Sequence, residues 1–162
     1  SDVNYNNSTV TVDTKPLVID GTEVKSVQRL YHMTMGTVVE QLEGHEHHKA
    51  IYDLMMKSKG KETKAPEHYS WIYNMDVPGS YYKDGQYDFL DVKGESVERW
   101  EIYTLIKAFP DELLEGYPDV LLYDVMDDKW YLFNETARES ILKLLDSAAK
   151  NGFLTLISNT VA

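Results

Sequence analysis

The sequence predicts a single α+β domain: an antiparallel or mixed sheet with two to three helices packed mainly on one face. Three observations carry that expectation. Most apolar runs alternate with polar residues and are joined by short turns rich in Asp, Gly and Asn, as hairpins are. One segment near the C-terminus bears both the start and the stop signals of a helix. The strand–helix–strand alternation of a doubly wound nucleotide fold is missing, as is a glycine-rich phosphate loop.

Residues 1–8, SDVNYNNS, are polar and without periodicity, so they read as a frayed or disordered arm, leaving 9–162 as one domain. Alternation begins with T-V-T-V at 9–12. Asp20-Gly21 then sits between two apolar runs, where a hairpin turn needs φ > 0. Residues 24–33 continue as a strand, although Val24, Val27 and Tyr31 also fit one face of a helix. Residues 38–42 and 46–57 both read as helical, with a break at Gly44, a stripe of Ile51, Leu54 and Met55, and a stop at Gly60. Lys57, Lys59, Lys61 and Lys64 make the following segment a basic loop that ends at Pro66.

Tyr69, Trp71 and Tyr73 alternate with Ser70, Ile72 and Asn74, the two-residue period of a strand with an aromatic face. Pro78-Gly79 and Asp84-Gly85 punctuate on either side of Tyr81-Tyr82, and residues 87–92 form the next strand. A long strand follows, with Trp100, Ile102, Thr104 and Ile106 on one face and Glu101, Tyr103 and Leu105 on the other, until Pro110 interrupts it. A short helical turn at 111–115 leads to a hairpin of residues 120–125 and 130–133. Thr136 and Glu139 have capping-box spacing ahead of a helix whose stripe is Ile141, Leu144, Leu145 and Ala148, closed by Asn151-Gly152. Residues 153–157 end the pattern as a strand.

Composition bounds the chemistry. The 162 residues suit one domain, and 43% hydrophobic content suffices for a core without staples. Having no cysteine, the chain forms no disulfide, thiolate metal site or Cys nucleophile. No apolar run approaches the roughly 20 residues of a membrane span, and no basic-then-apolar leader pattern occurs, so the expected compartment is the cytoplasm and no membrane partner is expected. A formal charge of −11 with pI near 4.8 repels phosphate backbones and attracts basic surfaces, which argues against direct nucleic-acid binding.

Three constellations bear on function. Gly44-His45-Glu46-His47-His48 places His45 and His48 three apart on one helix face, with His68, Glu43 and Asp53 as further donors, a workable start for a metal site. The His-Glu-x-x-His motif fails because Lys49 holds the second His position. The plainer reading is a solvated helix start, with His45, His47 and His48 accessible and metal-free. The aromatics Tyr69, Trp71, Tyr73, Tyr81, Tyr82, Tyr87 and Phe89 are either the core face of a sheet or a binding platform. Tyr81 and Tyr82, being adjacent, cannot both point inward in a regular strand.

The third constellation is charge. Residues 84–128 hold thirteen Asp and Glu against Lys93, Arg99 and Lys107, so nearly all the excess charge lies in this stretch. It is either a solvated surface or a face built to meet a basic protein partner. Asp111, Glu112, Glu115 and Asp119 surround the Pro110 and Pro118 breaks and are expected to be the most exposed. Together with Asp127, Asp128, Tyr81 and Tyr82 they form the expected partner-binding set. Asp88, Asp91, Glu95, Glu98 and Glu101 could include an acid/base pair, but no spacing among them specifies one. There is no nucleophile elbow and no cofactor motif, and no cofactor is expected.

The functional expectation is therefore a non-catalytic acidic protein that engages a basic protein surface. In physical character it is of the type that neutralises a nuclease, a toxin or a host defence enzyme, imitation of a nucleic acid's phosphate array being one form such binding takes. The alternatives are a metal-dependent enzyme centred on His45, His48 and His68, and a structural or assembly component such as a virion or tail part.

Overall fold

The structure is a computed structural model that describes residues 2–5, 8–11, 15–73 and 76–161. Within the segment expected to be a frayed arm, β1 (Asp2–Tyr5) pairs antiparallel with β2 (Ser8–Thr11), where the expected alternation begins. A second small hairpin, β3 (Val18–Ile19) and β4 (Thr22–Glu23), turns at Asp20 and Gly21, whose φ of 48° and 81° are the left-handed pair a two-residue turn demands.

The main sheet begins with β5 (Ser26–Met33) and β6 (Gly36–Leu42), followed by helix α1 (His45–Ser58). Two short strands, β7 (Glu62–Thr63) and β8 (His68–Ser70), precede the long hairpin of β9 (Ser80–Leu90) and β10 (Ser96–Leu105). One helical turn, α2 (Asp111–Leu114), leads to β11 (Val120–Asp124) and β12 (Lys129–Leu132). Helix α3 (Glu135–Lys150) and β13 (Leu154–Val161) complete it. The strand order is β13-β6-β5-β9-β10-β11-β12-β7, antiparallel throughout, with β8 added in parallel to the start of β9. The α+β class and the antiparallel sheet stand as the sequence predicts.

Each face of this sheet carries its own core. On one face α1 and α3 cover Val27, Leu42, Phe89, Trp100, Ile102 and Leu122, using Ile51 and Met55 from α1 and Ala137, Ile141, Leu145 and Ala148 from α3. Leu144, expected in that stripe, packs at its rim and is only partly buried. On the other face Tyr81, Tyr103, Leu105, Leu121 and Trp130 form a smaller cluster, sealed partly by Leu114 of α2.

Several expectations change. Residues 38–42 are a strand, not a helix, because β6 is paired on both sides, by β5 and β13, and this pairing outweighs local periodicity. The helix starts only after Gly44, whose φ of 93° reverses the chain there. Asp84-Gly85 is not a turn. Ile102 faces Gly85 while Tyr103 faces Lys83, so Asp84 is the extra residue of a β-bulge inside β9. The cap of α3 is Asn134, whose side chain accepts from the Ala137 N–H at 2.7 Å, so Thr136 and Glu139 lie inside the helix. Of the aromatic alternation at 69–73, only Tyr69 and Ser70 pair as strand, in β8. The last strand runs to Val161, beyond the expected 157.

Candidate interaction surface at one end of the sheet

The loops that follow β8 and β10 meet at one end of the sheet. Gly79, with φ of 86°, lets the Tyr117 ring lie against the backbone: a Cβ on residue 79 would come within 2.5 Å of that ring. The Tyr81 hydroxyl donates to the Pro118 carbonyl at 2.6 Å, and the Leu105 and Ile106 amides donate to Asp119 and Ser80 carbonyls at 2.9 Å each. These contacts tie the two loops to the strands, so the side chains they present rest on a braced backbone.

What they present is apolar and acidic together. Tyr69 at the middle of β8, Trp71, Ile72, Tyr73 and Val77 from the first loop, and Leu113 and Tyr117 from the second, are all exposed. Isolated exposed apolar residues are ordinary, but six large ones on two adjoining loops, with Tyr69 beside them, are a feature of recognition surfaces. Asp111, Glu112, Glu115 and Asp119 are exposed on the same second loop, as expected from the Pro110 and Pro118 breaks. Among the described residues Asp111, Glu112 and Glu115 have no cationic partner, whereas Asp119 meets Lys107 at 3.3 Å in a solvent-exposed pair of little energetic weight.

Two concavities adjoin these side chains. A groove of about 490 Å³ runs between Pro66, His68, Val77 and Tyr117. The other, of about 500 Å³, lies in a fork. The edge of β9 pairs with β8 at 80–82 and with β5 at 86–90, and between these stretches Arg29, His32, Trp71, Tyr73, Tyr82 and Lys83 line the gap. Tyr73 meets Tyr82 edge-on at 5.3 Å and Trp71 tilts against His32 at 4.9 Å. Burial, followed by the charge of Asp84, raises the Tyr82 phenol above its ordinary value, so it stays a neutral hydrogen-bonding group.

The structure divides the expected partner-binding set. Asp111, Glu112, Glu115, Asp119 and Tyr82 share this end. Tyr81 does not belong to the surface: it is 2% exposed, and its hydroxyl is spent on Pro118. Asp127 and Asp128 are exposed but lie in the β11–β12 turn, at the far end of β11 from Asp119. Asp128 there accepts from the Tyr123 hydroxyl at 2.7 Å, which pushes that phenol up to about 12. The aromatic cluster divides as well: Tyr87 and Phe89 are core, while Tyr69, Trp71 and Tyr73 are surface.

The acidic stretch is likewise not one surface. Asp88 binds Arg99 and Glu101 faces Lys83 at 3.6 Å, both ion pairs between β9 and β10, while Asp84 binds Arg138 of α3 and ties β9 to that helix. Glu98 and Asp124 form a carboxyl pair at the end of the sheet opposite Asp111. Burial and the hydrogen bond to Asp124 raise Glu98 far above the usual carboxyl range, which favours its protonated form. Of the acid/base candidates Glu98 thus does have a carboxyl partner, though Asp124 lies in another part of the sequence. The cross-strand register of Trp100 with Asp124 brings the two together.

His45, His48 and His68 are not gathered. His48 and His45 begin α1, just after Leu42, which is in register through Val27 with Phe89; His68 is in register with Ser80. Nine residues of β9 separate those levels, about 30 Å at 3.3 Å per residue. Among the described residues no three His, Asp or Glu are grouped to hold a metal ion. The expectation that His48 is accessible is also overturned. It is 2% exposed and its Nε2 hydrogen-bonds the Leu42 carbonyl at 2.6 Å, fastening the first turn of α1 to the end of β6. Burial lowers its pKa and keeps the ring neutral.

Periodicity leaves Tyr69, Trp71 and Tyr73 open between a core face and a platform, and it does not single out Ile72, Val77, Leu113 or Tyr117. Their signal lies in the turn residues beside them, Val77 before Pro78-Gly79 and Tyr117 after Gly116, where large apolar side chains fall in loops. No helix among the described residues is long and apolar enough to cross a membrane. Comparison of the chain with protein-family models, with curated proteins and with solved structures finds no match.

Proposed function

We propose that this chain is a non-catalytic binding protein that docks its acidic, aromatic-bearing end onto a basic protein surface. The observation that carries the reading is the juxtaposition, on braced loops, of three uncompensated carboxylates with exposed Leu113 and Tyr117. Interfaces are commonly built with an apolar centre that excludes water and a charged rim that steers encounter and fixes register. Here Leu113 and Tyr117 supply the centre and Asp111, Glu112 and Glu115 the rim. The finer form of the proposal is an inhibitor of the immunity or anti-defence kind, whose carboxylates stand where nucleic-acid phosphates would meet a basic enzyme.

The test begins with capture on immobilised protein from its native source, eluted by a salt gradient, followed by association kinetics with the purified partner. Reversing Glu112→Lys and Glu115→Lys together is expected to slow association by roughly tenfold at low salt and by much less near 0.5 M, where screening shortens the field to a few ångströms. Both sites are exposed, so folding is expected to be intact by circular dichroism. An unchanged association rate in the folded double variant returns these carboxylates to an ordinary solvated loop.

A further inference from the structure

The two edges of the sheet are built differently. At one edge β7 is two residues long, Glu62 faces Lys129 at 4.0 Å, and Lys57, Lys59, Lys61 and Lys64 crowd the flanks, all features that discourage another strand from pairing there. At the other edge β13 runs for eight residues, LTLISNTV, with no charge and no proline in a chain that is 27% charged. Among the described residues it pairs only with β6. Half of its backbone N–H and C=O groups therefore face outward, and Leu156 and Ile157 are 61% and 51% exposed. A bulge at Ile157 bends the strand, but pairing to β6 continues through Ser158, Asn159, Thr160 and Val161, so both halves keep an open ladder.

We infer that β13 pairs antiparallel with β13 of a second copy, joining two sheets across a two-fold axis. An open ladder is complemented only by another extended strand, and the lack of charge along β13 decides which one. A basic partner finds no carboxylate there. A second copy places uncharged residues opposite uncharged residues and brings Leu156 and Ile157 of the two chains together. The net charge of −11 does not forbid this. The acidic loop between β10 and β11 lies four strand spacings from β13, about 19 Å at 4.8 Å per strand, well beyond the roughly 8 Å screening length at physiological salt. Glu40, the carboxylate on β6 beside β13, is already paired with Arg29 at 3.0 Å.

Light scattering on a sizing column and sedimentation across a concentration series are expected to show a monomer–dimer equilibrium. The Leu156→Lys, Ser158→Lys variant should weaken dimerisation by about tenfold or more, since lysines meet across the axis. The Glu112→Lys, Glu115→Lys protein should dimerise as the wild type does. If the lysine variant misfolds, hydrogen exchange on the wild type replaces it: amides of 154–161 should gain protection as concentration rises. A wild type that is monomeric up to about 1 mM, a dimer indifferent to the lysines, open-ended polymers, or exchange independent of concentration overturns the inference.

Discussion

Trp100→Ala is expected to cost about 3–5 kcal/mol of unfolding free energy, the range for deleting a large aromatic from a filled core. Trp100 is fully buried and sits at the centre of the helix-covered face, stacked on Tyr52 of α1 at 5.4 Å and edge-on to Phe89 of β9 at 5.5 Å. Its removal opens a cavity that two elements border, and neither can close it, since Tyr52 is fixed by the helix and Phe89 by pairing to both β5 and β10. Against a typical domain stability of about 5–15 kcal/mol, that is a large fraction of the total. Trp71→Ala supplies the contrast: its ring is exposed, and the change should stay within about 0.5 kcal/mol. Urea denaturation monitored by circular dichroism measures both, and a cost under 1 kcal/mol for Trp100→Ala would mean that the core collapses around the lost ring.

The second large effect is one of pH. Glu98 has a folded-state pKa of about 8, raised by burial and by its hydrogen bond to Asp124. A carboxyl whose pKa is higher in the folded state than in the unfolded chain stabilises the fold below the unfolded value, near 4.5, and loses that contribution as pH rises through about 8. Stability should therefore decline between pH 5 and pH 8. A full proton corresponds to about 1.4 kcal/mol per pH unit; since solvent reaches part of this pair, about 1–2 kcal/mol over the whole window is expected. Glu98→Gln keeps a donor for Asp124 without an ionisable proton and should flatten the profile. Parallel profiles for wild type and variant would show that Glu98 titrates as an ordinary surface acid.

Much of the fold was legible in the sequence because its signals are local. Asp20-Gly21, the 120–133 hairpin and the stripe Ile141, Leu145 and Ala148 each encode their structure within a few residues, and all three form. Where the reading failed, a distant partner decided. Residues 38–42 carry a mixed pattern, and only the arrival of 154–161 and 26–33 on either side makes them a strand. The bulge at Asp84 answers to Arg138, across 54 residues of sequence. The exposed carboxylates beside Pro110 and Pro118 were legible because turn chemistry alone puts them on the surface. Leu113 and Tyr117 among them were not, since single apolar residues in a short turn carry no period, and Tyr69, Trp71 and Tyr73 stayed undecided because alternating aromatics look the same whether they line a core or a surface.

The register of β13 with β6 has a consequence for the order in which the molecule assembles. Leu154 pairs with Leu42 and Val161 with Gly36, closing a loop of more than a hundred residues, whereas β5–β6, β9–β10 and β11–β12 each close within one short turn. Closure entropy rises with loop length, and contacts between distant residues form after local ones. The hairpins can therefore nucleate independently, while β13 must wait for β6 to be held in place by β5. Until β13 docks, the outer side of β6 is itself a bare ladder, so each folding molecule passes through a stage with a different edge from the finished one. Pulse-labelled hydrogen exchange is expected to protect 26–33 and 80–105 first and 154–161 last, and simultaneous protection of all three would show that the sheet closes in a single step.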